Sequence, residues 1–317
     1  MSISPYEFAR LVCAHHASPS PAAARPHTRS PCAHLRLMLR LLLLGALAPC
    51  TLGARAFPVM PLPPLAVDPP TADDALAAAA PDAFEFVEAQ PQCVNPIRDQ
   101  GDCGSCWAFA ASGSFADRSC VRGAPRRLLS PQDLLDCEGL NLGCTLGSLP
   151  SMAWHYLEKK GVATDACVPY SDPPGRHKCP TACADGSSPA RRRATNATHL
   201  HGVAAIMAAV VEGPVDASFN VMEDFYEHWA TGGNSTYVFT KGSPYKGLHS
   251  VKLVGFGVGA DGVPYWTAEN SWGLSGGFGL GNTTKGYFRI RRGTNECGFE
   301  AAVWAGWPAA SSAAYDD

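Results

Sequence analysis

The stretch Gln100-Gly101-Asp102-Cys103-Gly104-Ser105-Cys106-Trp107-Ala108-Phe109 decides how this chain reads. A glycine-rich turn ends at Cys106, and an apolar run follows. A cysteine at the start of such a run stands where a helix N-terminus offers unpaired N–H groups and partial positive charge, and both favour a thiolate. Trp107 and Phe109 then read as core side chains of that helix. A nucleophilic thiol needs a base and a group to orient the base, so the same reading sends the search downstream.

The base is found in Gly247-Leu248-His249-Ser250-Val251-Lys252-Leu253-Val254-Gly255-Phe256-Gly257, a strand-like run. The orienting amide is Asn270 of Asn270-Ser271-Trp272-Gly273, which follows the strand-like Pro264-Tyr265-Trp266-Thr267. His249 lies 143 residues after Cys106 (249 minus 106) and Asn270 lies 164 after it (270 minus 106). Taken singly, Cys106 could be an ordinary buried or bridged thiol, His249 a core histidine, Asn270 a turn cap and Gln100 a surface amide. Their joint order and spacing favour chemistry.

With these segments in view, the chain resembles the papain-like cysteine peptidases, whose local signature around the nucleophile is C-G-[SA]-C-[WY]. Within that family it is most similar to the cathepsin B branch. Pro91-Gln92-Cys93, Ile97-Arg98-Asp99-Gln100, Asp117-Arg118-Ser119-Cys120, Cys167-Val168-Pro169-Tyr170-Ser171, Gly213-Pro214-Val215 and Cys297-Gly298-Phe299-Glu300 carry the likeness, in the family's order. The resemblance implies an α+β, two-lobed fold with the active site in the cleft. A helix-rich lobe (80–207) would present Cys106, and a β-rich, barrel-like lobe (208–304) would present His249 and Asn270. The peptidase domain would span 80–308. It implies a Cys106 thiolate, His249 as its ion-pair partner and general acid, and Asn270 orienting the imidazole. Gln100 would be an oxyanion donor, and Trp272 would cover the Asn–His contact. No cofactor and no metal are called for.

Thirteen cysteines point to an oxidising compartment. From residue 80 onward ten remain, at 93, 103, 106, 120, 137, 144, 167, 179, 183 and 297, and sequence alone leaves their connectivity open. The resemblance implies Cys93–Cys120, Cys103–Cys144, Cys137–Cys179 and Cys167–Cys183, with Cys106 and Cys297 free. Cys179-x-x-x-Cys183 is loosely zinc-like, but no histidine pair follows at finger spacing. Three sequons, at Asn196, Asn234 and Asn282, are glycosylation candidates.

Residues 1–56 read as an N-terminal extension with a secretory signal. Leu41-Leu42-Leu43-Leu44-Gly45-Ala46-Leu47-Ala48 is too short to span a bilayer, follows Arg36 and Arg40, and precedes a small-residue site at Ala54-Arg55-Ala56. Met38 is a better start for that signal than Met1. Residues 57–79 leave room for only a short, Pro- and Ala-rich pro-segment that is not expected to fold on its own, which puts in doubt how a zymogen would be restrained. The tail 309–317 reads as frayed. The net charge of −3 gives no case for a nucleic-acid partner. The expected protein is a monomer of the secretory pathway, lysosomal, vacuolar or extracellular, without a stable membrane anchor. It would act on peptides and proteins and be open to cystatin-like inhibitors.

Specificity is read from departures. The segment Ser171 to Cys179 is much shorter than the loop that blocks the cleft of cathepsin B, and it holds one histidine, His177, where that loop has a pair. This predicts an open cleft and endopeptidase action, with carboxylate capture by Arg176 and His177 as a residual dipeptidase alternative. The position of the acidic pocket floor is Ala302, which predicts an apolar P2 residue. Ala217 and Ser250 are expected pocket walls. Gly147 is expected to pair with bound peptide, with Leu146 narrowing the site. Leu248 stands where glycine is usual, and the glycine-rich insertion 274–284 could loosen Asn270. A binding-only relative of the fold is the alternative from another class. A thioredoxin-like redox role is disfavoured by the flanks of Cys103-Gly104-Ser105-Cys106.

Overall fold

The computed structural model describes residues 59–66, 80–171, 173–231, 235–274 and 285–309. The signal region, Asn234, Asn282, most of the glycine-rich insertion and most of the tail lie outside the described residues.

Helix α2 (Cys106–Val121) runs through the helical half and is buried on nearly every face. A helix in that position needs small and apolar residues all round, which Ala108, Ala110, Ala111, Phe115 and Ala116 supply. Its buried hydroxyls are satisfied locally: Ser112 donates to Ala108 O at 2.6 Å and Ser119 to Phe115 O at 2.7 Å. Before it come β1 (Phe84–Glu85) and a short α1 (Phe86–Ala89). After it come α3 (Pro131–Cys137), α4 (Gly143–Leu146) and α5 (Pro150–Lys159). The start of α3 is set by Ser130, whose hydroxyl accepts from Asp133 N at 2.9 Å, and by Pro131 in the first turn. Trp107, Phe115, Leu134, Leu135, Trp154 and Leu157 fill the core between these helices.

The β half holds β2 (Ala194–Leu200), α6 (Val203–Glu212), β3 (Val215–Met222), α7 (Glu223–Thr231), β4 (Thr236–Tyr237), β5 (Tyr245–Val258), β6 (Pro264–Glu269), β7 (Tyr287–Arg291) and β8 (Val303–Pro308). The strands form one sheet in the order β2-β8-β3-β5-β6-β7-β4, with β1 also paired to β5. The long β5 pairs with β3 through its first half (Phe219 opposite His249) and with β6 through its second (Lys252 opposite Glu269). The sheet therefore takes in strands from both sides of residues 207/208. β1 and β2, from the stretch assigned to the helix-rich lobe, pair with β5 and β8.

Arg118 ties α2 to the sheet, and four disulfides tie together the helices and loops of the helical half. Arg118 donates to Gly306 O at 3.0 Å and Gly213 O at 2.7 Å, and its guanidinium lies 3.8 Å from the Trp307 ring centroid. Four disulfides join Cys93–Cys120, Cys103–Cys144, Cys137–Cys179 and Cys167–Cys183, leaving Cys106 and Cys297 free. Each such bridge typically contributes about 2–4 kcal/mol.

Candidate active site

Cys106 is the first residue of α2 and is fully buried. The backbone N–H groups of Ser250 and Trp107 point at its sulfur, so the helix start meets β5 one residue beyond His249. Burial dominates all the same and pushes the thiol up to about 12.

His249 is equally enclosed. Its Nε2 lies 2.7 Å from Asn270 Oδ1. The Ser271 N–H also donates to that oxygen at 2.8 Å, which fixes Oδ1 as the acceptor and Nε2–H as the donor. Nδ1 of His249 has no hydrogen-bond partner among the described residues. The Trp272 ring stacks on the imidazole at 4.6 Å and 29° and is itself packed by Trp229 at 5.5 Å. Burial drives the imidazole down to about 4 against the opposing effect of Asn270. Burial thus disfavours the charged form of both groups in this state.

Gln100 is fully buried beside the turn before Cys106. Its Nε2 donates to Cys103 O at 2.7 Å and its Oε1 accepts from the Ser271 hydroxyl at 2.6 Å. The Tyr170 hydroxyl, bonded to Ser105 Oγ at 2.7 Å, donates to Gln100 O at 2.8 Å. Ser271 thus holds the side-chain amide and Tyr170 the backbone of Gln100; both stand in the quoted motifs, but neither was assigned this role.

The site is covered by residues 59–66. Met60 forms an antiparallel bridge with Leu248, giving and taking a backbone hydrogen bond of 2.7 Å each way. Met60 is fully buried in the cluster that includes Cys103, Cys106, Trp107 and Leu248. The strap continues through Leu62, whose carbonyl accepts from the Tyr245 hydroxyl. It reaches Leu65, whose N–H and C=O are both taken by the Asn220 side chain at 2.8 and 3.1 Å. Residues 59–66 of this Pro-rich stretch are placed by the wall they lie on.

Several expected site residues sit differently. Gly147, at φ 68°, uses its N–H on Gly143 O and its C=O on Leu142 N, so its backbone does not pair with the strap. It makes room instead: an added Cβ would stand 2.5 Å from Met60 Sδ and 2.6 Å from Gly104 O. Leu146 is partly exposed. Ala217 packs in the hydrophobic core with Val215 and Phe219, and the opposite-face neighbour Ser218 meets Ser250, hydroxyl to hydroxyl at 2.6 Å. Strand alternation accounts for that one-residue correction. The Ser218 N–H donates to Ala302 O at 3.0 Å, which brings Ala302 to the same pair. Glu300, two residues earlier, is occupied by Trp266 Nε1 and by the N–H groups of Gly293 and Asn295. Asn196 is exposed at an irregularity of β2. No cluster of three or more His, Cys, Asp or Glu side chains able to hold a metal occurs among the described residues.

The site thus sets a thiol on a helix N-terminus near an imidazole bonded to an amide. The sequence model described as papain family cysteine protease matches residues 80–307. The chain belongs to the papain family of cysteine proteases. Among curated members it is 41% identical over 238 residues to cathepsin B-like CP3 of Giardia intestinalis, covering 73% of this chain and 76% of that one. It is 38% identical over 265 residues to cathepsin B-like cysteine proteinase 4 of Caenorhabditis elegans, covering 72% and 75%. Among solved structures, procathepsin B S9 of Trypanosoma congolense superposes with a TM-score of 0.65 at 29% identity, over 76% of this chain and 82% of that one. This papain-family protein is a cysteine peptidase with the two-lobed α+β fold.

Proposed function

We propose that the protein is a cysteine endopeptidase, kept as a zymogen by the strap 59–66, that prefers substrates with an apolar residue at P2. The observation that carries the reading is the His249 Nε2–Asn270 Oδ1 bond, which leaves Nδ1 for the thiol. Once the strap leaves, water and substrate reach the site, and the burial that disfavours charge on thiol and imidazole is relieved. Cys106 passes its proton to His249 and attacks the peptide carbonyl as thiolate. Gln100 and the Cys106 N–H receive the oxyanion. His249 protonates the leaving amine, and the thioester is then hydrolysed by water.

Endopeptidase action is supported by the segment after Ser171. Gly175 O accepts from Gln132 Nε2 at 2.8 Å, the His177 N–H donates to Asp136 at 2.6 Å, and Arg176 donates to Asn141 O at 2.9 Å. The loop is thus tied to α3 and the turn after it, and the Arg176 guanidinium is engaged. The P2 preference is supported by Ala302 and by the Ser218–Ser250 pair, whose hydroxyls satisfy each other and offer no charge. Peptides and proteins are the substrates and cystatin-like proteins the expected inhibitors. The secretory pathway, ending in a lysosome-like or extracellular space, is the expected location. The test is digestion of internally quenched peptides at mildly acidic pH under reducing conditions, with cut sites read by mass spectrometry and Cys106→Ala as control. Internal cuts that vanish in the control support the proposal. Stepwise loss of C-terminal dipeptides overturns its endopeptidase part. Absence of any cleavage by folded, strap-free protein overturns it in favour of a binding-only role.

A further inference from the structure

The buried ammonium of Lys252 touches all three elements that carry the triad. Lys252 lies on β5, three residues after His249. Its Nζ is 2.6 Å from Asp117 Oδ2, on α2 eleven residues after Cys106. It is also 2.9 Å from Glu269 Oε1, on β6 immediately before Asn270. Asp117 is fully enclosed and accepts a second bond from Asn95 Nδ2 at 2.8 Å. Glu269 is approached by the Tyr287 hydroxyl of β7 at 3.5 Å, and Arg126 acts on Asp117 from further away. Packing alone does not fix this region. A cavity lined by Arg98, Phe109, Gly113, Lys252, Glu269 and Asn270 adjoins the staple. Gly113, on the α2 face opposite Lys252, has no side chain to fill it; an added Cβ would still be 3.7 Å from Lys252 Cδ.

We propose that Lys252 is a positioning residue: with Asp117 and Glu269 it staples α2, β5 and β6 in the register that brings Cys106, His249 and Asn270 together. A directional, charge-assisted contact does here what close packing does elsewhere in the core. The staple holds two carboxylates and one ammonium, so its fully ionised form carries an excess negative charge in a buried place. Burial and the neighbouring Asp117 push Glu269 up to about 7. At acid pH one proton neutralises the excess; towards neutral pH it leaves, and the two carboxylates repel across the ammonium.

The inference rests on the triad reading above, and Cys106→Ala tests that reading separately. The experiment uses the processed enzyme, with active sites counted by a thiol-directed irreversible inhibitor so that misfolded protein does not enter the rate. Lys252→Met should lower kcat per titrated site by about 10- to 100-fold at pH 5 with KM changed less than about threefold, and Lys252→Arg should restore most of it. Glu269→Gln keeps an acceptor for the ammonium but cannot ionise. It should stay within about threefold of the parent at pH 5 and lose less activity than the parent between pH 5.5 and 7.5. If Lys252→Met does not fold, the Glu269→Gln profile decides. Parent-like kcat per titrated site in Lys252→Met, or superimposable pH profiles for Glu269→Gln and the parent, would overturn the proposal. A merely structural role predicts the first of those results, together with a lower melting temperature.

Discussion

Replacing Met60 by alanine should release the strap and expose the nucleophile. Met60 is fully buried against Cys106, Trp107 and Leu248, and its sulfur fills the space that Gly147 leaves open. Truncating a buried methionine to alanine typically costs about 2–5 kcal/mol in a closed core. The side chain's share falls on the closed state alone, because the open strap leaves it in water. Even the low end, about 2 kcal/mol, moves the open-to-closed ratio about 30-fold, since about 1.4 kcal/mol is tenfold. The assay is the rate of Cys106 alkylation by a neutral haloacetamide on unprocessed protein, with cleavage of a short quenched peptide alongside. Alkylation should rise about 30-fold in Met60→Ala. Met60→Leu conserves volume and costs less than about 1.5 kcal/mol, so its rise should stay under about tenfold. The pH profile should keep its shape. Burial in the closed state pushes the thiol up and the imidazole down, so parent and variant both react through opening. Both should share a plateau at mildly acidic pH, where the open state forms the thiolate–imidazolium pair, and Met60→Ala should raise its height. Equal alkylation rates in Met60→Ala and the parent, with both folded and unprocessed, would refute the reasoning: the strap would then be a bystander.

Asn270→Ala removes the acceptor 2.7 Å from His249 Nε2, and loss of one hydrogen bond to a charged ring, about 1.5–3 kcal/mol, should lower kcat about 10- to 150-fold with KM little changed in steady-state assays. Ala302→Glu places a carboxylate beside the Ser218–Ser250 pair and should raise kcat/KM for a P2 arginine substrate by about 10- to 100-fold relative to P2 leucine, read with matched fluorogenic dipeptides. Stability should be greatest in acid. Glu269, raised from 4.5 to about 7, and Asp216, raised by complete burial against the opposing hydrogen bond from Trp154, keep protons in the fold that the unfolded chain has released. Native protein then binds more protons than unfolded protein between about pH 4.5 and 7, so stability falls as pH rises through that window. Urea midpoints measured from pH 4 to 7.5 should decline, and Glu269→Gln should flatten the decline; a rising midpoint would contradict the assignment.

Cys106, His249 and Asn270 could be singled out because each sits in a run with local grammar: a glycine turn before an apolar helix, a histidine or asparagine at the edge of a strand; the four disulfide pairs came only from the resemblance, since spacing leaves connectivity open. Ala217 against Ser218 shows the limit of that grammar. A resemblance places a wall residue to within a position, and only strand alternation, settled by the register Ser218 opposite Ser250, says which side chain faces the site. Met60 and Lys252 were not legible for a different reason. Met60 stands in a Pro-rich stretch with no period of its own, and its order is supplied by Leu248, Tyr245 and Asn220. Lys252 reads as one charge in an apolar strand, and its two partners are 135 and 17 residues away along the chain (252 minus 117 and 269 minus 252). Both act between segments whose contact exists only once the sheet has formed. The strap and the staple also meet at the same strand: one bonds Leu248, the other grips Lys252, and His249 lies between. Release of the first frees the imidazole to charge, while the second keeps β5 in register. A peptidase built this way can have a mobile cover and a fixed triad at once.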